Sequence, residues 1–172
     1  MSFKRWFKNS KVVRNGKPLI CYHGTPHQFT SFSVNHHGKH DAGYLGVGFY
    51  FTALPSIASI YSSKTSNGQV MPVFLSIQKP LILTRANMDQ EIGYVRVANI
   101  SMELQARGVP YEKAMIKAAQ EYRKELEKAG YDGIIDDTTN DMSQIVAFYP
   151  TQIKSAIGNN GNYDPRDPDI TH

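Results

Sequence analysis

Residues 46–61 read GVGFYFTALPSIASIY. Within them Val47 to Thr52 (VGFYFT) is aromatic and β-branched, which predicts a strand, and Gly43 and Gly46 before it punctuate a loop. Ser56 to Ser62 follows as a short helix, because the fixed φ and missing N–H of Pro55 suit a first helical turn. Downstream, Val70 to Ile77 and Leu81 to Leu83 read as strands broken at Pro80, which cannot donate to a ladder. Met88 to Gln105 and Tyr111 to Ala129 carry helical apolar spacing, with Gly108-Val109-Pro110 between them and Gly130 placed as a C-cap. Tyr131 to Ile135 and Ile145 to Phe148 read as strands joined by the polar loop Asp136 to Ser143, and Ile153 to Ile157 adds another. Upstream, Pro18 to Tyr22 (PLICY) is a short apolar run bounded by turn formers, a buried strand ending at His23. Two β-rich ends around a helical middle predict a single α+β domain over residues 1–172. Gly158 to Pro168 is rich in Gly, Asn, Asp and Pro, so residues 158–172 are expected to form a tail over the surface.

A chain of 172 residues is long enough to bury a core without staples. The lone Cys21 rules out an internal disulfide and a cysteine-based zinc cluster, which suits a reducing cytosol. Met1 to Ser10 is basic and aromatic and is followed by Lys11, Arg14 and Lys17 rather than by an apolar segment, so no signal peptide is expected. No apolar run approaches bilayer length, which excludes a spanning helix. A net charge of +4 and a pI near 9.1 permit an acidic partner without requiring one.

Three segments place a polar or aromatic residue on or beside an apolar strand: Tyr22-His23-Gly24-Thr25, Gly48-Phe49-Tyr50-Phe51 and Ser143-Gln144-Ile145-Val146. Singly, each has an ordinary reading: a locally bonded His, a core Tyr, a strand start at Gln. Together and in this order they resemble the H-Y-E class of ADP-ribosyltransferases, the group of poly(ADP-ribose) polymerases and diphtheria-like toxins. His23-Gly24-Thr25 is similar to that class's His-Gly-Ser/Thr motif, and Gly46 to Phe51 to its glycine-led Tyr-Phe strand. Ser56, Ala58 and Tyr61 fall at the spacing of its Ser-x-Ser-x-x-Tyr helix, and Ser143 to Phe148, running into Gln152-Ile153, resembles its last motif strand. Trp6-Phe7, Ser10 to Val13, Pro72 to Leu75, Gly130 to Ile135, Gln152 to Ala156, Gly158-Asn159 and Asp164-Pro165 extend the likeness to ADP-ribosyltransferase domains of phage and mobile-element polyvalent proteins.

The resemblance implies an ADP-ribosyltransferase fold, two packed antiparallel sheets in a split β-sandwich with flanking helices and the cleft between them. It implies NAD+ as co-substrate, no metal, and a mono-ADP-ribosyltransferase, a glycosyltransferase acting on a macromolecular acceptor, protein or nucleic acid. His23, Tyr50 and Gln144 would be catalytic. His23, Gly24, Thr25, Tyr50, Phe51, Ala58 and Tyr61 would hold NAD+, with the Gly24 backbone on the nicotinamide amide, Tyr61 stacked on its ring, and His23 and Thr25 at the adenosine ribose. Ala58 lacks the hydroxyl that the polymerases carry there. Gln144 replaces the class's Glu, keeping hydrogen-bonding ability and losing the charge that faces an oxocarbenium-like transition state. That argues for single transfer over polymer synthesis, and Asp136, Asp137 or Asp141 could supply the charge.

Two other functions stay open: an NAD glycohydrolase toxin with water as acceptor, and a non-catalytic module binding NAD or ADP-ribose. A cytoplasmic monomer without membrane association is expected, delivered by phage or secretion if it acts as an effector in a host cell. His27, His36, His37 and His40 could be read as a metal site, but their irregular spacing in a polar segment favours a flexible donor-site loop. Lys113, Lys117, Arg123, Lys124 and Lys128 alternate with Glu112, Glu121, Glu125 and Glu127, which reads as a solvated, ion-paired helix face.

Overall fold

Asn15 (φ 52°) and Gly16 (φ 72°) both adopt the left-handed backbone of a two-residue hairpin turn. They join β1 (Val13–Arg14) to β2 (Lys17–Pro18), a hairpin missing from the strands expected above although Asn-Gly is its signature. Pro18 belongs to that hairpin, so the next strand starts later than expected, as β3 (Cys21–Thr25). The computed structural model describes residues 1–34 and 43–172.

A three-stranded antiparallel sheet has the order β3-β5-β9, with β5 at Gln69–Leu75 and β9 at Ile153–Ser155. A four-stranded sheet has the order β4-β8-β7-β6, built from Phe49–Phe51, Gln144–Ala147, Gly133–Asp136 and Pro80–Leu83. The α+β reading holds, with one departure from all-antiparallel pairing: β6 and β7 run parallel. Parallel neighbours need a long crossover, and here α3 (Gly93–Ala106) and α4 (Tyr111–Lys128) supply it. Helix α3 starts later than Met88 because Gly93 sits at φ +56° with its N–H donated to the Tyr122 hydroxyl, 2.7 Å away. Two further α-helices are α1 (Phe3–Phe7) and α2 (Pro55–Ser62), and a 3-10 turn spans Pro150–Gln152. The first was not expected; its Phe3 ring lies 4.8 Å from Phe74 and its Trp6 ring 5.7 Å from Tyr163.

Strand alternation builds two cores. Phe49, Phe51, Ile145, Ala147 and Ile135 face Cys21, Val73, Leu75 and Ile153, while Val146, Phe148, Ile134, Leu81 and Leu83 face Val97, Ile100, Ala118 and Tyr122 of the crossover helices. Cys21 is fully buried, and that burial pushes its thiol up to about 12. Arg123 is not the solvated residue its helix pattern suggests. Its guanidinium donates to the carbonyls of Val47 (2.8 Å) and Phe148 (2.9 Å) and lies 3.8 Å from the Phe148 ring centroid, tying α4 to the residues that precede β4 and follow β8. Arg96–Glu125 and Arg123–Glu127 do form ion pairs.

The final residues run between β9 and the segment that follows β3. Ser155 N–H donates to Ile170 O and Ile170 N–H to Thr30 O, both at 2.8 Å, and Asp169 bridges Ser31. Lys154, with 0% of its surface exposed, donates its ammonium to the carbonyls of Asp167 (2.9 Å) and Asp169 (2.8 Å). Among the described residues no helix is long and apolar enough to cross a membrane.

Candidate active site

Among the described residues one backbone bridge joins the edges of the two sheets. Tyr22 N–H donates to Thr52 O at 2.8 Å and Thr52 N–H to Tyr22 O at 3.0 Å, so Tyr22 and Thr52 form a hydrogen-bonded antiparallel pair. If that ladder continued, the next such pair would be Gly24 with Tyr50. It does not continue. The His23 imidazole reaches across and its Nδ1 lies 2.8 Å from the Tyr50 carbonyl, taking the acceptor a ladder would give to Gly24. Because the groups of Tyr22 point to β4, strand alternation sends the Gly24 N–H and C=O to the same edge, into the split, and no described residue bonds to them. One residue thus offers a donor and an acceptor side by side, the complement of a planar carboxamide.

The tautomer of His23 follows from its partner. A carbonyl only accepts, so Nδ1 carries the proton, and Nε2 of the neutral ring keeps a lone pair for a hydroxyl donor. Phe32 (5.0 Å) and Phe29 (6.1 Å) stand edge-on to the imidazole and Phe51 lies 5.5 Å away. Burial among these rings lowers the His23 pKa below 6.5, opposed by the bond to Tyr50. The folded state then holds fewer protons than the unfolded one as pH falls through 6.5, so stability is expected to drop in that window and to level off above it. Denaturant unfolding at pH 7 and pH 5 checks this: His23→Gln should show a smaller loss than the parent chain, and equal losses would refute the assignment. Phe29 and Phe32 belong to no motif in the sequence, and their part in the site follows from their packing on the His23 ring.

Helix α2 packs directly on Gly24. A Cβ at this position would stand 1.8 Å from the Ala58 carbonyl oxygen and 3.0 Å from Tyr61 Cβ. Gly24 therefore allows α2 to approach until Tyr61 overhangs the strand end. Tyr61 is 49% exposed, with Lys64 Nζ 5.3 Å from its ring centroid. Ala58 is buried in the contact. Thr25 is buried too, its Oγ1 accepting the His27 N–H at 3.2 Å in a local turn. Phe51 is core, 3% exposed, and backs His23 rather than facing the split.

Tyr50 lies on the opposite face of β4 from Phe49 and Phe51. Its hydroxyl donates to Gly46 O (2.7 Å) and accepts from Leu45 N–H (3.1 Å), fastening the strand to the glycine turn before it. Gln144 begins β8, beside Thr52; pairing of Tyr50 with Val146 puts Tyr50 and Gln144 on one face as diagonal neighbours. Among the described residues no three His, Cys, Asp or Glu side chains cluster to hold a metal ion; His36, His37 and His40 lie outside them.

Comparison with curated proteins and with solved structures returns no match. A family described as ADP-ribosyltransferase in polyvalent proteins matches residues 14–163. That span takes in His23, Gly24, Tyr50, Tyr61 and Gln144 and every strand of both large sheets, so the chain belongs to the ADP-ribosyltransferases of polyvalent proteins.

Proposed function

We propose that this protein is a mono-ADP-ribosyltransferase that moves ADP-ribose from NAD+ to a macromolecular acceptor, protein or nucleic acid. The observation that carries the reading is the split at Gly24, where the His23 ring ends the β3–β4 ladder and leaves a donor–acceptor pair at the cleft edge. The nicotinamide carboxamide fits that pair, Tyr61 covers the ring with its exposed face, and Tyr50 lines the same space. His23 Nε2 accepts from a ribose hydroxyl, and Gln144 bonds a hydroxyl of the nicotinamide ribose. Transfer breaks the bond from ribose C1′ to the nicotinamide nitrogen, whose electron pair leaves with the ring and cancels the pyridinium charge. The acceptor nucleophile bonds to C1′ and its proton passes to water. Holding the dinucleotide bent in this orientation supplies most of the acceleration.

Incubation of purified protein with NAD+ labelled in the adenylate and a cell lysate tests the reading through two channels, free nicotinamide and label fixed on macromolecules. Fixed label is the expected result. Nicotinamide release at the same rate with and without lysate, and no fixed label, would make it a glycohydrolase. Silence in both channels with measurable NAD+ binding would make it a binding module.

A further inference from the structure

The register of the four-stranded sheet sets Asp136 on β7 directly opposite Gln144 on β8. Opposed residues of an antiparallel pair share a face with Cβ atoms about 4.5–5.5 Å apart. Asp136 is 4% exposed and its carboxylate is held on two sides: Oδ2 accepts the Tyr94 hydroxyl at 2.9 Å, and Oδ1 accepts Thr138 N–H at 3.1 Å and the Thr138 hydroxyl at 2.7 Å. An ionised carboxylate accepts about four hydrogen bonds, so one site, on Oδ2, stays open. The Gln144 amide is bonded to no described residue. Burial and the charge of Asp136 push the Tyr94 hydroxyl well above its usual range, so Tyr94 remains a donor to that carboxylate.

His23, Tyr50, Tyr61 and Gln144 bring no negative charge to the split, while bond cleavage at C1′ builds positive charge on the ribose. We infer that Asp136 is a positioning residue for transfer: its carboxylate takes the Gln144 amide N–H, turns the Gln144 carbonyl oxygen to the ribose hydroxyl, and supplies the negative charge that Gln144 lacks. This rests on the transferase reading above. An amide has two ends of similar shape and opposite polarity, and an acceptor-only neighbour selects which of them faces the substrate. Asp137 and Asp141 do not share this placement. Asp137 accepts Met142 N–H and Asp141 accepts the Thr139 hydroxyl, both inside the loop. The polar groups around the pair include Tyr94 from α3, Thr52 at the end of β4, Thr138, Asp137 and Asp141 of the loop, Arg85, whose Nε donates to the Thr138 carbonyl at 3.1 Å, and Arg14, which donates to the Asp141 carbonyl at 3.2 Å.

The test compares Asp136→Asn, Gln144→Glu and the double variant with the parent chain, reading kcat and KM for nicotinamide release against pH, with melting midpoints. Asp136→Asn should lower kcat about 10- to 50-fold, the effect of a lost charge at this range in a partly screened site, with KM little changed. In Gln144→Glu two carboxylates stand opposed, and like charges force one to titrate high. Its rate should therefore step with pH above the ordinary carboxylate range, and adding Asp136→Asn should remove the step and restore at least parental turnover. An Asp136→Asn kcat within threefold of the parent overturns the inference. So does a Gln144→Glu profile that Asp136→Asn leaves unchanged. If Asp136→Asn unfolds, the Gln144→Glu chain, whose Asp136 contacts are intact, decides alone: a step in the ordinary glutamate range overturns the inference. A parent chain without turnover overturns the transferase reading and this inference with it.

Discussion

Gly24→Ala is expected to reduce NAD+-dependent turnover at least 100-fold, the scale of penalty for displacing reacting groups by about 1 Å. The added methyl would meet the Ala58 carbonyl oxygen at 1.8 Å, and that atom belongs to the backbone of α2, so no rotamer relieves the contact. The helix must retreat, carrying Tyr61 off the strand end, or β3 must twist and move the His23 ring from the Tyr50 carbonyl. Overpacking of this kind costs about 1–3 kcal/mol, which for a chain of this size lowers the melting midpoint by about 2–12 °C. Calorimetric melting and nicotinamide release on the same samples check both parts. Gly158→Ala is the control, since its nearest neighbour would be the Ser155 hydroxyl at 3.3 Å. Parental turnover in Gly24→Ala would show that the close approach of α2 has no bearing on the chemistry.

Lys154→Met is expected to lower stability substantially although the side chain lies outside the split. Methionine nearly matches the stem in volume and removes the ammonium, leaving the carbonyls of Asp167 and Asp169 without their donor. Bonds from a charged donor contribute about 1.5–3 kcal/mol each, so a net loss near 3 kcal/mol and a midpoint about 6–12 °C lower are expected. Limited proteolysis should then cut within residues 158–172 before the rest of the chain. Through Thr30 and Ser31 the tail also steadies the segment carrying Phe29 and Phe32, so the variant should weaken NAD+ binding without touching a residue of the split. An unchanged midpoint would mean that the tail is held by its backbone pairing alone.

Much of this arrangement is legible in the sequence. VGFYFT is aromatic and β-branched as strands are, and Pro55 marks the helix start within a residue of where it occurs. Asn15-Gly16 is equally legible as a hairpin turn, but its flanking strands are two residues each and carry no apolar alternation to announce them. Other features depend on facts that a linear string does not state. The start of α3 turns on a positive φ at Gly93 and on a hydroxyl contributed by Tyr122 of another helix. Arg123 has the spacing of a surface charge, and only the arrival of Val47 and Phe148 beside α4 makes it an internal tie. The opposition of Asp136 to Gln144 is a matter of register, since a slip of one residue would put the two side chains on opposite faces. The resemblance located His23, Gly24 and Gln144 in the chain. Folding adds the reason Gly24 has free main-chain groups: the neighbouring imidazole interrupts the pairing.

Among the described residues β4 has β8 as its one ladder partner, and β5 is completed on its far side by β9. Both partners come from the last third of the polypeptide, whereas His23 and Gly24 come from its first. On a ribosome, where residues emerge in order, β3 can gather α2 and β5 early, but β4 has no ladder until β8 has left the exit tunnel. A cell that makes this protein therefore carries no early form of the split with β4 in its sheet, and the two edges come together only after β8 and β9 have been made.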